Sequence, residues 1–432
     1  MTDGSAASLG SLVRPLPNLE RIIRGLLLIY VFALPFKGLL FIERNGFLIL
    51  LFLLGVWCLV HRDHFFRRTA LDIPLAAFVV WVGLTIPFAT DPLYSLQEFG
   101  KLLQQGVIFY TVVYFFRART DWERLIGLII GTSSIISLYG LTQFDGTDQQ
   151  SVTSFLPAEV WLTTYLVMLI PLCFALTWYE MTPWLKSLYA VSTMLATACL
   201  FLTQSRAGLV AFLAELWAFA WLLRKRALLI AAGVFTLAAV GGVALLLAVL
   251  TSPGGEERIN ASPIPLKTST TSFVHRIDIG QFTLSKIAEY PVLGIGYGKE
   301  TYKKLFGVVP EKDLLPGHSP VREAGTHNIL LEMALHVGLP GLALFLWLAV
   351  RLGHTLIEGL RQSTDPHAKA FLLAACVGLI GLGVRLQFDQ LLVGTLAIQF
   401  WVLMAVAIAV REVPFATDPS LPTLFQERGS TS

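Results

Sequence analysis

"EVWLTTYLVMLIPLCFALTWY", residues 159–179, is an apolar run whose only charge is its first residue. A membrane-spanning helix needs about 20 consecutive, mostly apolar residues, and this stretch meets that length by itself. Eleven more runs of the same kind flank it, centred on 22–41, 45–60, 71–89, 102–116, 125–144, 185–203, 208–223, 227–250, 328–350, 368–386 and 391–410. The runs at 45–60 and 102–116 are the shortest and draw on neighbouring residues. Composition agrees with this reading. The 432 residues are 55% hydrophobic and 14% charged, whereas soluble domains average about 25% charged. The mean hydropathy is +0.68. The expected fold class is an all-α polytopic membrane protein with about twelve spans.

The placement of Lys and Arg sets the orientation. With the N-terminus inside, eighteen basic residues fall in inside segments. They run from Arg14, Arg21 and Arg24 through Arg117, Arg119 and Arg224 to Arg411 and Arg428. Only Lys37, Arg44, Lys101, Arg206 and Arg385 fall in the short outside turns. The remaining nine lie in a long outside loop, 251–325, which is long enough to escape the rule. An N-in, C-in arrangement follows, with spans 1–9 in residues 1–250, spans 10–12 in 326–411 and a short polar inside tail, 412–432. No cleavable signal pattern is visible, and the first apolar run reads as an uncleaved span.

Other classes are excluded on simple grounds. A net charge of +3 and the absence of a basic run argue against nucleic acid. Cys58, Cys173, Cys199 and Cys376 all sit in apolar segments without CxxC spacing, so they read as small buried hydrophobes. "GIGYGKET" (294–301) only resembles a phosphate loop. Its spacing is one residue short, and Glu300 stands where Ser or Thr is needed. "TQSRAG" (203–208) lacks the glycine pattern of a nucleophile elbow.

The long outside loop has internal organisation. Residues 251–271 are rich in Pro, Ser, Thr and Gly and read as irregular. In 272–290, Phe273, Ile277, Leu284, Ile287 and Ala288 recur at roughly helical spacing, which predicts an amphipathic helix lying on the membrane or on the spans. "PVLGIGYGKE" (291–300) reads as a glycine-rich turn. "THNILLEMALHVGLPG" (326–341) then opens the tenth span, and Gly338, Pro340 and Gly341 interrupt it, so 326–337 reads as an interfacial helix bending into the membrane.

The candidate chemistry gathers at the outside face. Ionisable residues next to spans are functional hypotheses by default. Arg206, in a very short turn after Ser205, either snorkels to lipid headgroups or presents a guanidinium fork to phosphate oxygens. Arg276 on the loop helix is either a surface ion-pair partner or a second phosphate ligand. Lys101 opens the fourth span and also suits interfacial anchoring, while Arg385 and Asp389 are spaced to pair with each other. His327 stands at a helix N-terminus, capped by Thr326 or Asn328. The positive end of the helix dipole favours a neutral ring there, able to act as a general base. No outside loop carries a close Asp-x-Asp pair, so no metal is expected, and arginines would neutralise a leaving phosphate.

These residues together resemble the O-antigen ligase family, within a superfamily that also holds Wzy-type polymerases and bacterial protein O-oligosaccharyltransferases. The resemblance rests on the span pattern, the long loop before the last three spans, "SRAG" at 205–208, "HR…PVLGIGYG" across 275–298 and "THNILLEMALHVGLPGL" at 326–342. The bend reads Gly338-Leu-Pro-Gly341, with proline where many members have an aliphatic residue. The resemblance implies a Gram-negative inner-membrane enzyme with a periplasmic active site. Its donor would be O-antigen on undecaprenyl pyrophosphate, its acceptor a sugar hydroxyl of lipid A–core, and no cofactor would be needed. His327 would be the base and Arg206 and Arg276 the pyrophosphate ligands, with Ser205, Thr326, Asn328, Lys101 and Arg385 in supporting roles. A polymerase, a protein oligosaccharyltransferase and a lipid-linked glycan transporter are the alternatives. The transporter is disfavoured because such proteins hold their ionisable residues near the midplane.

Overall fold

The computed structural model describes residues 17–144, 152–250, 270–307, 325–389 and 392–412. Within them the protein is all-α. The helices are α1 (Pro17–Ala33), α2 (Leu40–His61), α3 (Asp72–Thr85), α4 (Pro92–Phe115), α5 (Arg119–Thr142), α6 (Glu159–Tyr179) and α7 (Pro183–Leu202). They continue as α8 (Arg206–Leu223), α9 (Arg226–Leu250), α10 (Thr270–Glu289), α11 (Thr301–Phe306), α12 (Ile329–Gln362), α13 (Pro366–Arg385) and α14 (Gly394–Glu412).

Each of the twelve apolar runs forms a helix, and among the described residues eight helices are long and apolar enough to cross a membrane. Helices α1, α3 and α4 fall short of that measure. Helix α1 has 17 residues and α3 has 14. The first half of α4 carries Glu98, Lys101, Gln104 and Gln105, which dilute its apolar stretch. The protein is a polytopic all-α membrane protein.

Helix α6, the run quoted at the outset, is buried on every side from Leu162 to Cys173. A helix apolar all round belongs in the middle of a bundle, and α13 packs beside it. Cys173, Cys199 and Cys376 are buried and unbridged, as small hydrophobes are, and Cys58 is half-buried.

The bundle has two distinct ends. One gathers the turns around residues 37, 90, 155, 205, 327 and 386. Lys37 N donates to Phe155 O at 3.0 Å, Thr90 N to Ile295 O at 2.9 Å and Ile329 N to Leu386 O at 3.0 Å. The opposite end is tied by ion pairs: Arg24 with Asp121, Arg119 with Asp365 at 3.5 Å, and Arg411 with Glu358 at 2.6 Å.

Helix α12 is broken at Gly338, whose φ is 74° and ψ 174°, and Pro340 follows. A break of this kind frees carbonyls that must find other donors in apolar surroundings. The glycine-rich segment supplies them. Ile295 N donates to Leu335 O at 2.9 Å and Gly296 N to His336 O at 3.0 Å, while Leu339 N returns a bond to Pro291 O at 2.8 Å. Trp81 Nε1 reaches Val337 O at 2.8 Å. A side chain at 338 would collide with Val292 O, so the kink and the 291–296 segment require each other.

Helix α10 packs against the first half of α12. Ile287, Ile295, Tyr302, Ala334 and Leu335 form a small second core there. The buried face of α10 is Ile279, Thr283 and Ile287. Leu284 and Ala288, expected on the apolar face, are exposed instead. The side chains of Phe273 and Ile277 lie outside the described residues, as do segments 251–269 and 413–432.

Candidate functional site

His327 is held in an unusual backbone position. Its φ is 48°, next to Gly325 at 84°. A non-glycine residue in the left-handed region costs of order 1–3 kcal/mol and must be over-determined by its surroundings. The neighbours provide that restraint. Asn328 is the N-cap of α12, and its Oδ1 accepts from Leu330 N at 2.9 Å and Leu331 N at 3.1 Å. Its Nδ2 donates to Gln387 Oε1 at 3.1 Å. Thr326 is buried, and its hydroxyl donates to Asn328 O at 3.3 Å. The start of α12 is thus clamped to the end of α13. Of the two cap candidates read from sequence, Asn328 is the cap.

This clamp places His327 beside Asp389. His327 Nδ1 lies 3.1 Å from Asp389 Oδ1, and Arg385 Nη1 donates to the other carboxylate oxygen, Oδ2, at 2.7 Å. Arg385 is completely buried, whereas the side chains of His327 and Asp389 keep 28% and 16% exposure. The guanidinium anchors the cluster and the imidazole faces outward. Burial alone would raise the Asp389 carboxyl. Hydrogen bonds and charge from His327 and Arg385 outweigh that and hold it below the usual carboxylate range. An ionised Asp389 accepts a hydrogen bond from Nδ1–H, which leaves the Nε2 lone pair as the ring's acceptor. The Arg385–Asp389 pair foreseen from their spacing therefore exists, and it also orients His327.

Arg276 comes to the same place from α10. Its guanidinium carbon stands 5.9 Å from the ring centre of Phe388, the neighbour of Asp389, and the side chain is exposed. Arg206 occupies the first turn of α8. Ser205 is the N-cap there, accepting from Gly208 N at 3.3 Å. Gly208 packs against Thr163 of α6, one turn from Val160, whose carbonyl accepts from Arg385 at 3.5 Å. The first turn of α8, which carries Arg206, and the end of α13, which carries Arg385, thus both meet the first turns of α6. Lys101 lies further along this end, paired with Glu98 at 2.5 Å.

Three features escaped the sequence reading. Asp389 was legible as an ion-pair partner of Arg385 but not as the orienter of His327. Glu332 and His336 are buried one turn apart on α12, 3.7 Å from each other; their i, i+4 spacing was a visible signal. Lys37 and Arg44 border a large cavity at this same end. They stood out only as cations on the side where few occur.

A histidine held by a carboxylate, with Arg276 and Arg385 close by, is of a kind that suits activation of a hydroxyl against a phosphate leaving group. The fold and cluster define a multi-pass, all-α membrane protein with a polar histidine–carboxylate–arginine cluster at one end of its bundle. Residues 190–346 match the family model described as O-antigen ligase. The matched stretch includes Ser205, Arg206, Arg276, Thr326, His327 and Asn328. Lys101, Arg385 and Asp389 lie outside the match. No curated protein matches the chain. The match supports a glycosyl-transferring membrane enzyme of the O-antigen ligase type, with lipid-linked polysaccharide and lipid as its general partners.

Proposed function

We propose that the protein transfers O-antigen from undecaprenyl pyrophosphate to a sugar hydroxyl of lipid A–core, at the periplasmic face of a Gram-negative inner membrane. The observation that carries this reading is the His327–Asp389–Arg385 cluster, with Arg276 beside it over Phe388.

In this reading Asp389 fixes the imidazole so that Nε2 receives the proton of the acceptor hydroxyl. The hydroxyl oxygen attacks the anomeric carbon of the donor sugar. A new C–O bond forms, the bond to the pyrophosphate oxygen breaks, and the electron pair leaves with undecaprenyl pyrophosphate. Arg206 and Arg276 hold that pyrophosphate and stabilise the charge it gains. Direct attack inverts the anomeric configuration. The donor is already activated, so neither ATP nor a divalent metal is needed when arginines neutralise the leaving group.

The test is a lipopolysaccharide gel from a ligase-deficient Gram-negative host expressing the protein or its His327→Ala variant at matched membrane levels. A ladder on lipid A–core with wild type and none with the variant is expected. Lengthening of lipid-linked chains without that ladder would make the protein a polymerase. Movement of lipid-linked glycan across the membrane without covalent transfer would make it a transporter.

A further inference from the structure

A cavity of about 780 Å³ opens at the same end of the bundle as His327, between the start of α2, the first half of α4 and the start of α14. Specific pockets for small molecules measure about 300–1,000 Å³, so it has room for a sugar headgroup. Its distinctive feature is charge. Of the five cations in the short turns on the cation-poor side, Lys37, Arg44 and Lys101 all line this one cavity. They come from two separate stretches of chain, 37–44 and the helix that carries Lys101.

Two carboxylates stand close by. Glu98 pairs with Lys101, and Glu43, which also lines the cavity, accepts from Gln104 at 2.8 Å and from Tyr30 at 3.4 Å, so the excess of cations rests on Lys37 and Arg44. Among the described residues neither Lys37 nor Arg44 has an ion-pair partner, and both are exposed at the mouth. Phe47, Leu48 and Ile398 form an apolar part of the wall. The cavity thus joins free cations to an apolar wall, as a phosphate-bearing lipid headgroup requires.

The cavity also leads towards His327. It shares Lys101, Gln105 and Gly394 with a smaller cavity of about 40 Å³. Ile329, two residues after His327, lines that smaller space. Arg206 and Arg276 line neither cavity, so this end of the bundle has two separate cationic stations. A transfer between two lipid substrates uses two.

We infer that the larger cavity receives the phosphate-bearing headgroup of the acceptor glycolipid, with Lys37 and Arg44 as its phosphate ligands. The inference rests on the proposed function, since it assigns the second substrate of that reaction.

The test is lipid binding to purified full-length protein in nanodiscs, using bis-phosphorylated lipid A, its dephosphorylated form and undecaprenyl pyrophosphate as probes. Wild type should bind the phosphorylated form on the order of tenfold more tightly than the dephosphorylated one. The pair Lys37→Gln and Arg44→Gln should erase that difference and leave undecaprenyl pyrophosphate binding in place. Lys37→Arg with Arg44→Lys should retain the difference, which separates lost charge from lost fold. Equal binding of both lipid A forms by wild type would overturn the inference. So would competition by phosphatidylglycerol at equal concentration, or loss of undecaprenyl pyrophosphate binding in the glutamine pair. The two readings fail separately. Charge-dependent lipid A binding without any glycan transfer would sink the proposed function and keep the cavity's ligand. Transfer with charge-independent binding would do the reverse.

Discussion

The two ends of the bundle use charge in opposite ways. At one end, cations meet carboxylates across helices: Arg24 with Asp121, Arg119 with Asp365, Arg411 with Glu358. These pairs fasten neighbouring helices and leave no imidazole among them. The other end has such a pair too, Lys304 with Asp91 at 2.9 Å, but it also places charge differently. Arg385 is fully buried beneath Asp389, which holds His327, while Lys37 and Arg44 line a cavity without ion-pair partners among the described residues. Charge that is compensated and peripheral serves the fold. Buried charge that aims a titratable ring, or uncompensated charge in a cavity, serves a ligand.

That contrast is open to attack by substitution. The largest effect should come from His327→Ala, lowering single-turnover glycan transfer by about 10²–10⁴-fold with an unchanged melting temperature in detergent. A variant that loses its fold instead would make His327 a structural residue. Next, Arg385→Met leaves Asp389 buried without its partner. Removing one member of a buried pair costs on the order of 3–5 kcal/mol, so thermal unfolding should shift clearly downward. Asp389→Asn should preserve most of the fold yet slow transfer by about 10²-fold, the scale of a misplaced catalytic group. Its signature is a lower kcat with little change in half-saturation by the donor. At the opposite end, Arg411→Met breaks a partly exposed pair. It should cost at most about 1 kcal/mol and leave transfer rates at the wild-type level.

The smallest effect is in pH. The folded-state pKa of Asp389 is depressed, so its stabilising contribution is present above the ordinary aspartate value, about 3.9. It fades as pH falls through the depressed value. Wild type should therefore lose stability relative to Asp389→Asn only below about pH 4. A gap between the two that closes already near pH 6 would contradict this assignment.

Much of the fold was legible because apolar length is written locally. Each of the twelve runs became a helix, and the Gly338–Pro340 interruption became a kink. The buried face of α10 was not legible in the same way. Leu284 is apolar yet exposed, because the helix turns Ile279, Thr283 and Ile287 inward. Spacing alone gives a helix but not which neighbour it meets. The site divides similarly. His327 and Asn328 stood out beside a helix start, and Arg385 and Asp389 stood out by their spacing. The bond between His327 and Asp389 joins residues 62 positions apart, and it exists only because Asn328 and Ile329 dock onto Gln387 and Leu386. Lys37, Arg44 and Lys101 were visible one by one as cations on the wrong side; only the packing of three helices showed that they share a cavity.

The central claim is that His327, aimed by Asp389, accepts the proton of the attacking hydroxyl. Its most direct test is single-turnover transfer from a purified undecaprenyl-pyrophosphate-linked glycan to lipid A–core, comparing wild type with His327→Gln across pH 5–9. Wild type should lose rate at the acid end. The glutamine variant should be slower by about 10²-fold or more and lack that acid limb. A variant that keeps both the wild-type rate and the acid limb would show that another group takes the proton.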